Sequence, residues 1–317
     1  MSTVVITGGS GLIGTALSSQ LAAKGHEVII LSRGEGRKET AMVTALSGEG
    51  KVTYASWDIS KQFIEPGVIE KADFIIHLAG AGVADKRWSS KRKQEIVDSR
   101  VNSGRLLVKA LQETNNTVKA VVSASGIGWY GPDKAAAIPF VETDPADGAF
   151  LGETCRLWEE ATEAVTSMVK RRVVFRTGLV FSKEGGALAE FRKPIQFGVA
   201  AILGNGRQVV SWIHIDDLCR MFIKTIEDDS LNGIYNAVSP QPATNRNLVM
   251  ELAKKMRGKF FIPVYVPSFV LKLMVGEMSI EVLKSTTVSC SKIKQAGFIF
   301  QYPTLESALN ALTKKTS

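Results

Sequence analysis

Short apolar runs alternate with amphipathic stretches through the first 180 residues of the chain. The runs are typical of buried strands, and the stretches between them carry apolar residues at helical spacing. Predicted strands lie at residues 4–7, 27–32, 51–58, 73–80, 118–125 and 172–178. Predicted helices include residues 89–111 and 150–169. This alternation predicts parallel βαβ units and a doubly wound α/β sheet of the Rossmann type.

The first predicted strand ends in glycines and leads directly into a helix. Gly8, Gly11 and Gly14 stand at Gly-x-x-Gly-x-x-Gly spacing. Such glycines permit positive φ, close approach of a pyrophosphate and tight helix packing, and the helix N-terminus offers free N–H groups. The alternative is an ordinary glycine turn, but the strand–turn–helix context favours a dinucleotide site. The predicted cofactor contacts in this turn are Gly8, Ser10, Gly11, Leu12, Ile13 and Gly14.

Beyond residue 180 the pattern loosens into shorter elements. Predicted strands lie at residues 209–214, 233–238 and 261–266, with helices at 187–197 and 245–256. We expect residues 1–180, with a returning segment near 207–240, to form the dinucleotide-binding domain. Residues 181–206 and 241–317 are expected to form a smaller C-terminal substrate lobe.

The second predicted strand ends in Ser32 and Arg33. An acidic residue at this place would bind the ribose diol of NAD, whereas an arginine suits a 2′-phosphate through its charge and paired donors. We therefore predict NADP; the alternative is that Arg33 is a solvated loop residue. Residues 34–50, rich in Gly, Glu and Thr, predict a mobile loop.

Further cofactor contacts are predicted where later strands end. Asp58 closes the third strand, where the adenine would lie, and Val180 would lie near the nicotinamide. At the end of the fourth strand, the small residues Ala79 and Gly80 let the backbone pass close to the cofactor, and Leu78 before them is a further predicted contact. His77 and His214 are interpreted as structural residues.

Composition and charge narrow the function class. The formal net charge is +8 and the pI about 9.3, which suits a phosphate-rich cofactor or an anionic substrate as well as nucleic acid. The basic cluster at residues 86–93 has one aromatic residue, Trp88, so it is interpreted as a solvated helix start rather than a nucleic-acid site. The sequence has no apolar run of about 20 residues, and we expect neither a signal peptide nor a membrane partner. Cys155, Cys219 and Cys290 are far apart and odd in number, which argues against disulfides and metal and fits a reducing cytoplasm.

Several motifs together identify a family. The glycine turn, Ser125, Tyr130-Gly131 and the run Ile213-His214-Ile215-Asp216-Asp217 resemble the extended short-chain dehydrogenase/reductases, the nucleotide-sugar epimerase and dehydratase group. The tail resembles an atypical branch of epimerase-family proteins that carry a C-terminal domain of unknown function. The tail motifs are Pro267-Ser268-Phe269, Gly276-Glu277-Met278, Ala296-Gly297-Phe298 and Phe300-Gln301-Tyr302-Pro303.

The resemblance also allows the catalytic residues of the family to be compared with the residues at the matching positions of this sequence. Members of the family use a Tyr-x-x-x-Lys pair on the helix after the fifth strand, with a serine that orients the substrate oxygen. Ser125 matches this serine, but alignment on Glu159 puts Leu151 at the tyrosine and Cys155 at the lysine. Leucine cannot move a proton, and a thiol has no fixed charge. The atypical branch is similar here, with this cysteine and with Arg100 in place of asparagine.

Three groups are candidates to replace the missing pair. Tyr130 is a possible proton donor, or else a packed loop aromatic. Cys155 is a reactive thiol or a small buried residue. Arg100, oriented by Glu95, would hold a cofactor phosphate or an anion, unless it forms a surface salt bridge.

Two functions remain open at this point. One is an NADP-dependent oxidoreductase or epimerase-like enzyme acting on an unidentified small molecule, with Ser125 as substrate orienter. The other is a non-catalytic NADP-binding sensor or partner-binding module. A homodimer is a further expectation, and nucleic-acid and membrane partners are not expected.

Overall fold

The computed structural model describes residues 1–33, 50–134 and 138–314. The loop predicted at residues 34–50 therefore lies, except for Gly50, outside the described residues.

Short 3₁₀ turns at Ile127–Trp129, Glu163–Ser167 and Gly276–Met278 accompany the regular elements. The strands, in chain order, are β1 (Thr3–Thr7), β2 (Glu27–Ser32), β3 (Lys51–Asp58), β4 (Phe63–Ile64), β5 (Phe74–His77), β6 (Ala120–Gly126), β7 (Arg171–Thr177), β8 (Leu179–Phe181), β9 (Val199–Leu203), β10 (Val209–Val210), β11 (Trp212–His214), β12 (Gly233–Ala237), β13 (Ala243–Thr244) and β14 (Ile262–Val266). The helices are α1 (Leu12–Ala23), α2 (Ser90–Glu113), α3 (Phe150–Ala161), α4 (Ala187–Gln196), α5 (Ile215–Glu227), α6 (Asn245–Arg257), α7 (Ser268–Val275), α8 (Ser279–Leu283), α9 (Ser291–Gln295) and α10 (Leu305–Thr313).

The main sheet has the strand order β12-β7-β6-β5-β1-β2-β3-β4. All pairs are parallel except the short β3–β4 pair at the edge. The chain moves outward in one direction from β1 through β2 to β3, and in the other direction from β5 through β6 to β7. The predicted doubly wound Rossmann sheet is thus confirmed, and its switch point lies between β1 and β5.

Helices cover both faces of this sheet because the strands are apolar on both sides. Val4 and Ile6 belong to the core that contains Leu17 of α1 and Phe222 of α5. Successive side chains of a strand point to opposite faces of the sheet, so Val5 points away from the face of Val4 and Ile6. It belongs to the core that contains Leu107 of α2. The two cores hold the carboxyl ends of β1 and β5 in place, and the predicted site lies at those ends.

The C-terminal region has a core of its own. Ile202 of β9 packs with Leu252 of α6 and Leu309 of α10, and β9 pairs with β14 in a separate two-stranded parallel sheet. The boundaries predicted for the two domains stay a prediction. Among the described residues, no helix combines the length and the apolar composition needed to cross a membrane.

Two predicted elements differ from the observed ones. The helix predicted to run to residue 169 ends at Ala161, where the side chains of Arg172 and Thr162 donate hydrogen bonds to the Glu159 carbonyl. The strand predicted at residues 209–214 is divided at Ser211, whose hydroxyl donates to the Thr286 carbonyl at 2.8 Å. Side-chain hydrogen bonds to the backbone accompany both endings, from Thr162 and Arg172 at the end of α3 and from Ser211 to Thr286 between β10 and β11.

Candidate cofactor and active site

The glycine turn between β1 and α1 has the geometry expected for binding an anion. Gly8 has φ 68°, and a Cβ built on Gly14 would lie 2.5 Å from the carbonyl oxygen of Gly8 and 2.5 Å from Cα of Gly9. Gly11 is the N-cap of α1 and supplies no capping side chain. The first N–H groups of the helix are therefore free to bind a phosphate.

Buried polar side chains fix the neighbouring ends of β1 and β5. Thr7 Oγ1 is hydrogen bonded to His77 Nδ1 at 2.8 Å and accepts from the backbone N–H groups of Leu78 and Ala79, each at 3.2 Å. Burial lowers the pKa of His77 to about 4, so its ring is neutral at physiological pH. Thr7 therefore holds the backbone of Leu78 and Ala79 beside the glycine turn, and His77 orients the Thr7 hydroxyl, which fits its structural interpretation.

The remaining predicted cofactor contacts lie on β8 and at the carboxyl ends of β2 and β3. Arg33 is exposed at the end of β2, and Val180 lies on β8. A Cβ built on Gly186 would lie 3.0 Å from Cδ2 of Leu12 and 3.3 Å from the Val180 carbonyl oxygen, so this segment lies against the start of α1. Asp58 Oδ1 accepts from the Ser60 hydroxyl at 2.6 Å, which lowers the pKa of Asp58 and closes a local turn.

The predicted pairing of Glu95 with Arg100 is wrong. Glu95 is exposed and forms an ion pair with Arg92 Nη1 at 2.8 Å. Residues five apart on a helix are rotated by about 140°, so the two side chains leave α2 on different faces. Arg100 is buried instead, where Nη1 donates to the Ala81 carbonyl at 3.0 Å and the guanidinium lies 4.7 Å from the centre of the Trp158 ring. It supports the loop after β5.

A buried polar network lies at the carboxyl ends of β6 and β7. Ser125 Oγ donates to Oε1 of Glu159 at 2.7 Å. Arg176 binds the same carboxylate with two donors, Nε to Oε1 at 2.9 Å and Nη2 to Oε2 at 3.0 Å. Glu159 is 7% exposed and Arg176 1% exposed, so this bidentate pair is shielded from solvent. Glu159 thus connects the predicted substrate-orienting serine to a buried cation.

Tyr130 belongs to this network, and its burial favours the packed loop aromatic over the proton donor. Its hydroxyl donates to Asn236 Oδ1 at 2.7 Å and accepts from Arg176 Nη1 at 3.1 Å. The side chain is fully buried and stacks on Phe140 with ring centres 5.0 Å apart. Burial raises the pKa of Tyr130 to about 12. A packed loop aromatic is the interpretation that this geometry supports.

For Cys155, the structure favours the small buried residue over the reactive thiol. Burial, followed by the charge of Glu159, raises the pKa of Cys155 to about 11, so the thiol stays protonated at neutral pH. Its Sγ lies 3.7 Å from a Cβ built on Gly126, and Cβ of Leu151 lies 3.0 Å from one built on Gly128. The face of α3 next to Ser125 therefore presents Leu151 and Cys155.

Residues 4–237 match the family model of the NAD dependent epimerase/dehydratase family. The chain belongs to this family. Residues 266–312 match a second family model, a domain of unknown function, DUF1731. Both parts of the resemblance are confirmed by these matches, and the fold is that of an NAD(P)-dependent epimerase/dehydratase.

Relatives and solved structures match over nearly the whole chain. An epimerase family protein of Staphylococcus aureus is 32% identical over 316 residues, covering 99% of this chain and 100% of the relative. The crystal structure of a human epimerase family protein with NADPH has a TM-score of 0.84 at 28% identity, covering 98% of this chain and 99% of the human chain. A nucleoside-diphosphate sugar epimerase of Corynebacterium glutamicum has a TM-score of 0.74 at 28% identity, covering 98% of this chain and 58% of the other.

Sequence reasoning missed the roles of Glu159 and Arg176. Arg176 could have been noticed from the sequence, because it is a charged residue that directly follows the apolar run Val173-Val174-Phe175 of the same strand. Its partner could not be identified from the pattern, since Glu159 lies on a helix whose exposed face carries the similar residues Glu153 and Glu160.

Proposed function

We propose that the protein binds NADP(H) and acts on a small molecule as an oxidoreductase or epimerase-like enzyme that lacks the Tyr-x-x-x-Lys pair. Arg33 supports the preference for NADP, because it is an exposed cation where a 2′-phosphate would lie. The NADPH in the human relative supports the same cofactor. The three cysteines, all free and buried, suit a reducing cytoplasm.

The observation that carries the enzymatic role is the bond between Ser125 and Glu159. Because the serine hydrogen points to the carboxylate at 2.7 Å, the serine lone pairs remain to accept a hydrogen bond from a substrate hydroxyl. Ser125 then orients the carbon that exchanges a hydride with the nicotinamide. Glu159 acts as a positioning residue, and the two hydrogen bonds from Arg176 fix the orientation of its carboxylate.

The second candidate function is a non-catalytic NADP-binding sensor or partner-binding module. The burial of Tyr130 and the raised pKa of Cys155 favour it, because two of the three groups named as replacements for the catalytic pair are then held in structural roles. In this case the glycine turn and Arg33 would be functional, and Ser125 would be a structural residue.

Cofactor preference is tested by titrating NADPH and NADH against the wild-type protein and Arg33→Ala. We expect NADPH to bind more tightly and Arg33→Ala to lose about tenfold or more of that preference, as for the loss of one charge-assisted contact. Arg105→Ala, which removes an exposed arginine on α2, is the control. Equal affinities of the wild-type protein for both cofactors would contradict the proposal.

Catalysis is tested by following NADPH absorbance with carbonyl compounds, and NADP⁺ reduction with alcohols and nucleotide sugars. We expect turnover that Ser125→Ala weakens. Ser123→Ala is the matched control, because Ser123 is a buried serine of the same strand whose hydroxyl makes no hydrogen bond to a described residue. Tyr130→Phe should leave the pH profile unchanged. Tight NADPH binding without turnover across this screen would favour the sensor.

A further inference from the structure

Arg100 of α2 is a buried cation that has no anionic partner within the described part of the chain. The residue is 8% exposed, and burial lowers the pKa of its guanidinium. Nη1 donates to two neutral acceptors, the carbonyl oxygens of Ala81 at 3.0 Å and Ile96 at 2.9 Å. No carboxylate of a described residue acts on the guanidinium. A charge that is removed from water is costly unless it is paired, so this position suits the binding of an anion.

One edge of the Arg100 guanidinium is still available for hydrogen bonds. Nε and Nη2 donate to no described residue, and neither is among the unpartnered side-chain atoms that are shielded from solvent. A Cβ built on Gly80 would lie 3.1 Å from Cζ and 3.3 Å from Nε of Arg100. Because Gly80 is exposed and has no side chain, it leaves this edge uncovered. Nε and Nη2 form a pair of parallel donors that can bind both oxygens of one carboxylate.

The guanidinium borders the same face of α3 as the strand end that carries Ser125. Cζ of Arg100 lies 4.7 Å from the ring centre of Trp158. Cys155 precedes Trp158 by three residues, so the two side chains share one face of the helix. Sγ of Cys155 lies 3.7 Å from a Cβ built on Gly126, the residue that follows Ser125. A ligand held by Ser125 is therefore close to the free edge of Arg100.

The glycine turn, where the cofactor phosphates are expected, lies toward the opposite side of β5. A Cβ built on Gly8 would lie 2.8 Å from the carbonyl carbon of Leu78, before the chain reaches Gly80. In the sheet, β5 separates β1, which leads into this turn, from β6, which leads to Ser125. The free N–H groups of α1 already suit the cofactor phosphates. This arrangement favours the substrate as the source of the anion for Arg100.

The side chains on the neighbouring face of α3 favour a carboxylate over a phosphate. A carboxylate has two coplanar oxygens, which the parallel donors Nε and Nη2 can satisfy together. A phosphate group has a third acceptor oxygen and a larger charge, so it needs further strong donors. Leu151 and Cys155 face this end of β6. Leucine has no donor, and a thiol is a weak one.

We propose that Arg100 binds a carboxylate group of the substrate, while Ser125 accepts a hydrogen bond from a hydroxyl group of the same molecule. The substrate class is then a small hydroxy acid. This proposal rests on the proposed function, because it names the substrate class of that site.

The test follows the indole N–H resonance of Trp158 in isotope-labelled full-length protein during titration with acetate. This indole nitrogen makes no hydrogen bond to a described residue, and its ring lies against the guanidinium, so an anion bound to Arg100 should shift the resonance. We expect saturable acetate binding in the millimolar range. Acetamide, which has the same shape without the charge, should produce no saturable shift.

Two variants separate the paired donors of Arg100 from its charge. Arg100→Lys keeps the charge but loses the parallel donors, so it should weaken acetate binding at least about tenfold. Arg105→Lys is the matched control, because it is the same substitution at an exposed position of the same helix, and it should leave acetate binding unchanged. An unchanged melting temperature shows that each variant is folded. The comparison of acetate with acetamide in the wild-type protein needs no variant.

Four results would overturn the proposal. They are a Trp158 resonance that acetate does not shift in the millimolar range, an equal response to acetamide, acetate binding that is as tight in Arg100→Lys as in the wild-type protein, and inorganic phosphate that binds as tightly as acetate. Loss of NADPH affinity in Arg100→Lys without loss of acetate binding would assign Arg100 to the cofactor. The acetate titration contains no cofactor, so a wild-type protein that binds acetate at Arg100 but not NADPH would contradict the proposed function alone.

Discussion

Replacing Glu159 by glutamine removes a buried charge and changes little else. The amide keeps the size of the side chain, but the Arg176 guanidinium, 1% exposed, then faces a neutral group. Breaking a buried ion pair from one side typically costs about 3–5 kcal/mol. Arg176 keeps contacts with the Tyr130 hydroxyl at 3.1 Å, the Glu142 carbonyl at 3.1 Å and the Trp129 ring centre at 3.5 Å. We therefore expect a loss at the lower end, about 3 kcal/mol.

Urea unfolding followed by tryptophan fluorescence measures this loss. For an unfolding slope of about 3 kcal/mol per molar urea, the midpoint should fall by about 1 M. Glu160→Gln is the matched control, because it is the same substitution at the next position, in an exposed pair with Arg156. Its midpoint should stay within experimental error. Equal shifts in the two variants would refute the conclusion that the buried pair stabilises the site.

A double variant separates the cost of an unpaired charge from the loss of packing. Glu159→Leu combined with Arg176→Met removes both charges and replaces them with apolar side chains. We expect it to be more stable than Glu159→Leu alone, because no charge is then left buried without a partner. A double variant less stable than that single variant would show that the network contributes more through its hydrogen bonds than through the ion pair.

Three further predictions follow from the site. Gly14→Ala should weaken NADPH binding more than tenfold in a fluorescence titration, because its Cβ would lie 2.5 Å from backbone atoms, whereas Gly148→Ala, which places its Cβ in open space, should not. Burial lowers the pKa of both His77 and His214 to about 4 from 6.5, so the unfolded chain binds more protons between these values. The free energy of unfolding should therefore fall as pH decreases from 6.5 to 4, by up to about 1.4 kcal/mol per pH unit for each histidine. Urea midpoints that rise as the pH is lowered from 6.5 to 4 would contradict this expectation. Cys155 and the other two cysteines are buried with raised pKa values, so a thiol reagent at pH 8 should find no fast-reacting thiol until the protein unfolds.

The features of the structure that the sequence predicts correctly depend on local chemistry. The turn at Gly8 is predictable from the sequence, because its positive φ and its close approach to Gly14 both require glycine at a fixed spacing. Both requirements involve only residues that are neighbours in the sequence. The order of strands and helices is predictable because a strand buried on both faces of a parallel sheet appears in the sequence as a continuous apolar run. The motifs of the tail identified the family for the same reason.

Sequence alone thus determined the class of fold, the glycine turn and the family to which the chain belongs, because periodicity and short motifs specify them locally. Tertiary structure decided which polar groups meet. Glu159 and Arg176 are 17 residues apart, and Tyr130 and Asn236 are 106 apart, yet each pair is hydrogen bonded in the core. Glu95 and Arg100 are close in sequence but leave α2 on different faces. A side chain's partner is set by the packing of whole elements, so the proton chemistry open to Ser125, Tyr130 and Cys155 could be judged only from the folded chain.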